Sequence, residues 1–177
     1  MTPHQELWIV WTARLAVALY LAALLAGSRA RGTRTAPSPR HPVANLLWTV
    51  AGITFLLHVG LAFQFLHRWS HESAYRHTAE RTEQALGVAV GAGIYVNYVF
   101  LLWWVVDLLL LWEAPGWRSR PYRIAMHAFF AFILLNATVV FGPPWWRWAS
   151  LPITAGGLAA WSLLRRAERT PDDSAHP

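Results

Sequence analysis

The sequence predicts an all-α, polytopic membrane helix bundle: five transmembrane helices and one short amphipathic helix on the outer side. Three observations carry that expectation. The chain of 177 residues is 55% hydrophobic and 14% charged, where soluble domains average roughly 45–50% apolar and about 25% charged. Its apolar residues fall into five runs, at 7–26, 43–66, 86–112, 124–141 and 145–164. Each run is near the ~20 residues needed to cross a ~30 Å hydrocarbon layer at ~1.5 Å per residue. The arginines between the runs alternate from one connection to the next. Ser28–Pro42 carries Arg29, Arg31, Arg34 and Arg40 with no acid, Glu113–Arg123 carries Arg118, Arg120 and Arg123 against Glu113, and the tail opens with Arg165 and Arg166. On the opposite ends, residues 1–6 hold only Glu6, His67–Ala85 balances its arginines with Glu72, Glu80 and Glu83, and Gly142–Trp148 holds Arg147 alone. Basic connections stay cytoplasmic. The expected placement is therefore a bacterial-type inner (cytoplasmic) membrane, with the N-terminus outside and the C-terminus cytoplasmic.

The first run reads as a retained helix, because its basic residues follow the apolar stretch, whereas a secretory signal has them in front. Residues 27–42 are Gly, Pro, Ser and Arg with no apolar period, which makes a flexible inner loop. Pro42 suits the first turn of the second helix. The segment Trp69–Ala85 has no Pro or Gly, and Glu72, Arg76 and Glu80 stand four apart, so it reads as the outer amphipathic helix. Gly87, Gly91 and Gly93 open the third and longest run, and Gly87-x-x-x-Gly91 has the spacing that lets transmembrane helices approach closely. Pro143–Pro144 forces a tight outer turn. Pro152 and Gly156–Gly157 predict a kink in the fifth span. Residues 1–169 read as one membrane domain, without repeats, and 170–177 as a disordered polar tail. Trp8, Trp11, Trp69, Trp145, Trp146 and Trp148 fall at the outer ends, and Trp48, Trp112, Trp117 and Trp161 at or near the inner ends, in the two belts such rings form at headgroup depth.

Composition also excludes functions. With no cysteine, the chain has no disulfide, thiolate metal site, iron–sulfur cluster or cysteine nucleophile. The formal charge of +6 is explained by arginines flanking membrane spans and meeting anionic headgroups, so nucleic acid is not an expected partner. No Gly-x-Ser-x-Gly, His-Glu-x-x-His, Walker loop or dinucleotide fingerprint is present. Five spans do not divide into the inverted repeats of transporters. The balance leans away from an enzyme.

Ionisable groups inside spans are costly and are functional candidates by default. Counting ~1.5 Å per residue from the outer ends, Arg14 lies roughly 10 Å deep, His58 roughly 12 Å, Asn97 roughly 15 Å and Asn136 roughly 8 Å. With Tyr95 beside Asn97, these five are expected to converge on a polar pocket in the outer half. The plainer readings are an Arg14 that snorkels to the surface and a His58 bonded to a backbone carbonyl. Asp107 and His127 sit in the inner half and are expected to form a carboxylate–imidazole pair, structural or proton-relaying. His67 and His71 stand four apart on one predicted helical face, with His77 on another. Two imidazoles at that spacing suit zinc or copper. A b-type haem is the weaker option, since His58 and His127 differ in depth by roughly 15 Å and cannot clamp one iron. The leading functional expectation is an accessory, assembly or ligand-binding membrane subunit, partnered by the bilayer and by a larger membrane complex or a homo-oligomer. The alternative is a metal- or haem-dependent redox or metal-handling protein.

Overall fold

The computed structural model describes residues 2–32 and 42–141. All of its regular elements are helical. Helix α1 runs Pro3–Gly32, and α2 runs Pro42–Ala62 and continues through a π-helical turn at Phe63–His67. Helix α3 is His71–Leu86 and α4 is Gly93–Glu113; a 3-10 turn at Pro115–Trp117 leads into α5, Arg120–Leu135, which ends in a π-turn at Asn136–Val140. The expected fifth span, 145–164, and the tail, 170–177, lie outside the described residues, as do positions 33–41 of the first connection.

Among the described residues, three stretches, Pro3–Gly27, Pro42–His67 and Gly93–Glu113, are apolar and long enough to cross a membrane. Only 22%, 22% and 28% of their apolar windows are buried inside the protein. Leu21, Leu25, Leu46, Leu57, Leu102 and Leu109 all face outward. A bundle dissolved in water would turn one apolar stripe inward and a polar one outward. Helices that are apolar all round match lipid as their solvent.

The chain forms two compact units, Met1–Phe130 and Ala131–Pro177. In the first, α1 packs along α2, and α4 packs against both α2 and α3. Small residues set the α1–α2 approach, with Ala16, Ala23 and Ala51 buried. An aromatic layer fills the centre. Trp48 stacks on Phe130 at 5.6 Å between centroids, Trp104 stacks on Phe55 at 5.4 Å, and Tyr20 leans on Trp48 at 5.6 Å. Gly52 makes room for this layer. A Cβ there would lie 2.8 Å from Leu108 Cδ1 and 3.0 Å from Trp104 Nε1, so α4 reaches α2 only where the side chain is missing. In the second unit, the described residues finish α5 with self-contained bonds: Asn136 Nδ2 donates to Phe132 O at 2.8 Å, and Thr138 Oγ1 to Leu134 O at 2.7 Å.

Three boundaries bear on the sequence reading. Helix α1 continues to Gly32, through the first residues of the stretch expected as a loop from residue 27. The amphipathic helix expected at 69–85 is an element separate from α2. Arg68 and Trp69 both adopt left-handed backbone, with φ of 50° and 60°, which ends one helix and re-aims the next. Ser70 then caps α3, its side chain accepting from Ser73 N at 3.1 Å. The next span starts at Gly93, later than the expected residue 86. Gly87 terminates α3 with φ 77°, the left-handed C-terminal position that favours glycine. Gly87 and Gly91 therefore do not share a helical face. Gly91 instead accommodates the Tyr75 ring, which a Cβ there would strike.

Candidate functional site

The outer pocket does not assemble as expected in the first unit. Arg14 is exposed, and its guanidinium lies over the Trp11 ring at 5.2 Å from the centroid. A cation over an indole face is attracted by the ring quadrupole. His58 turns toward α1, with Nδ1 2.9 Å from Ile9 O. A carbonyl only accepts, so this nitrogen carries the proton. That bond ties the C-terminal part of α2 to the N-terminal part of α1. Tyr95 and Asn97 are exposed on α4, and the Tyr95 hydroxyl reaches His71 Nε2 at 3.4 Å. Asn136 belongs to the second unit and bonds its own helix. Arg14, His58 and Tyr95 thus each make a separate local contact, and Asn97 faces outward.

Asp107 is fully buried, and the partner that takes both of its oxygens is Arg118, not the expected His127. Arg118 Nε donates to Oδ1 at 2.8 Å and Nη2 to Oδ2 at 3.0 Å. This is a bidentate fork, the strong geometry for a guanidinium and a carboxylate. The turn at Pro115–Trp117 brings the arginine back under α4. Tyr122 joins the group, receiving a bond from Trp103 Nε1 at 3.2 Å. Burial, and then the neighbouring Asp107 carboxylate, push the Tyr122 hydroxyl above the usual phenol value, so at neutral pH it remains a donor. His127 lies among rings, 5.5 Å from Trp48 edge-on and 6.2 Å from Tyr20. The sequence reading assigned Arg118 to topology alone. The signal it passed over is that a buried carboxylate near a basic loop needs a cation.

His67, His71 and His77 also sort differently from the expectation. The left-handed residues 68 and 69 end the helix that would have put His67 and His71 on one face. His71 lies instead between two tyrosines, with Nδ1 2.9 Å from Tyr98 Oη in addition to the Tyr95 contact. In a neutral imidazole one ring nitrogen donates and the other accepts, so the ring bridges the two hydroxyls. His67 is buried at 8% exposure and meets His77, with ring centroids 5.4 Å apart and planes at 61°. His67 Nδ1 is buried and makes no hydrogen bond. Among the described residues, no three His, Asp or Glu side chains gather closely enough to hold a metal ion.

Among the described residues, these features define an all-helical architecture with three helices able to cross a membrane, a buried ion pair near one end of α4 and a histidine–tyrosine cluster near the other. Comparison with protein-family models, with curated proteins and with solved structures finds no match, so the functional reading rests on the residues themselves.

Proposed function

We propose that this chain is a five-span protein of a bacterial-type inner membrane, N-terminus outside and C-terminus cytoplasmic, acting as an accessory or assembly subunit. Its partners are a larger membrane complex or further copies of itself. The alternating arginines support the orientation, and the apolar run at 145–164 supplies the fifth span. One observation carries the functional part: the ionisable groups Asp107 and His58 are held by fixed neighbours, while the outward faces of the helices are apolar. Asp107 is held by Arg118 and His58 by Ile9 O. Groups held this way fix helices to one another and are not poised for turnover.

The test is the native mass of protein extracted with its surrounding lipid. The expected result is a particle containing several 20.0 kDa chains or a stoichiometric second membrane protein. A particle with one chain and no partner, stable on dilution, overturns the proposal.

A further inference from the structure

We propose that His67 and His77 form a two-imidazole site for a late first-row divalent cation, copper or zinc, completed by water or an exogenous ligand. Three observations converge on this pair. The two rings come from different elements, the π-turn ending α2 and the middle of α3, yet their centroids are 5.4 Å apart with planes at 61°. With metal–nitrogen bonds of about 2.0–2.1 Å, two imidazoles on one ion at an angle between tetrahedral and trigonal have centroids roughly 5–5.5 Å apart. The ring separation falls within the range that a shared ion would give.

The second observation is an orphan. His67 is more than nine-tenths buried, and its Nδ1 has no hydrogen-bond partner. A buried polar atom without a partner is costly, and a metal ion is one occupant that would satisfy it. The third is the turn that makes the pairing. Consecutive left-handed conformations at Arg68 and Trp69 are unusual for residues with side chains, and backbone strain of this kind clusters at ligand sites. The turn is held by Trp69 Nε1 donating to Gln64 Oε1 at 2.8 Å and by Trp69 N donating to Phe63 O at 2.9 Å. It folds α3 back so that residue 77 returns to residue 67.

Imidazole pairs select copper, zinc or nickel over calcium and magnesium, and copper(II) leads the affinity order. His71 is outside the site, because both of its nitrogens face tyrosine hydroxyls. With two protein ligands, the ion keeps open positions, as sites that bind or pass on an exogenous ligand do.

The experiment uses full-length protein in detergent without a polyhistidine tag, titrated with copper(II) and zinc(II) against a competing chelator. Wild type is expected to take up one equivalent, with electron paramagnetic resonance of the copper form showing coupling to two nitrogens. His77→Gln is expected to weaken binding by more than about ten-fold, whereas His71→Gln leaves it unchanged. His77 is half-buried, so its variant tests the site even where His67→Gln fails to fold; circular dichroism establishes that the variant is helical. Wild type that takes up no equivalent, or a folded His77→Gln that binds like wild type, overturns the site. The site does not depend on whether the bundle associates with partners, so either proposal can fail alone.

Discussion

Arg118 is the residue on which the burial of Asp107 depends. Its guanidinium holds both oxygens of a carboxylate with no solvent exposure, while it is itself 16% exposed. Removing the cation strands a buried anion, and breaking such a pair by deleting one partner costs about 3–5 kcal/mol. Arg118→Ala is therefore expected to lower the thermal unfolding midpoint in detergent substantially. Replacing both partners together, Asp107→Leu with Arg118→Leu, removes the charge and its counter-charge at once and is expected to recover most of that loss. A double variant as unstable as the single one contradicts this account. Tyr122→Phe takes away only a hydroxyl beside the same carboxylate, for an expected loss of about 1 kcal/mol. The exposed Arg76–Glu72 pair at 3.8 Å resembles Asp107–Arg118 on paper, but water solvates both of its charges, so its deletion is expected to change little. At this scale the sequence identified Asp107 as an anomaly. It did not identify the partner, because Arg118 already had an adequate explanation in topology.

Helices meet where glycine allows it, and the two glycines of α2 separate packing from propensity. Gly52 faces the Trp104 indole and Leu108, whereas a Cβ on Gly60 would meet nothing within 4 Å. Gly52→Ala is expected to cost roughly 1–3 kcal/mol through overpacking against a ring that cannot easily move. Gly60→Ala is expected to be neutral or stabilising by about 0.5–1 kcal/mol, since alanine favours the helix. Equal effects at the two positions in denaturation experiments would show that α4 is not seated on Gly52. Gly91→Ala is expected to destabilise the α3–α4 junction through the Tyr75 ring, with Tyr75→Ala as second change restoring it. The long apolar helices were legible in the sequence because a run of ~20 apolar residues leaves the backbone no other way to satisfy its polar groups in lipid. The break after His67 was not. Arg68 and Trp69 carry no left-handed signature, and the four-residue spacing of His67 and His71 reads as helical until the turn is seen. The glycines after Leu86 were noticed but assigned to helix packing. Gly87 is instead a helix terminator and Gly91 a seat for an aromatic ring, distinctions that depend on where α3 ends.

At the scale of the whole molecule, the proposed topology follows from the cost of moving arginine across lipid. Each Arg at mid-bilayer costs about 2.5–3.5 kcal/mol on insertion scales, and the first connection carries four of them. Retaining that loop on the cytoplasmic side fixes the first two helices, and the arginines of 118–123 and 165–166 repeat the same constraint two spans apart. The chain contains no cysteine, so single introduced cysteines report position without background. Glu80→Cys, on the exposed side of α3, is expected to react with a membrane-impermeant maleimide in intact spheroplasts. Thr35→Cys and Ser174→Cys are expected to react only after the membrane is opened. Leu109→Cys, exposed on the apolar face of α4, is expected to resist the reagent in both conditions, because lipid excludes both the reagent and the thiolate form it attacks. An even number of spans between the first connection and the tail would still return Thr35 and Ser174 to one side, so the discriminating comparison includes Arg147→Cys in the outer turn. Labelling of Arg147→Cys from outside and Ser174→Cys from inside requires a crossing between them, which is the fifth span. If positions 147 and 174 label from the same side, the last apolar run does not cross and the proposed five-span topology is lost.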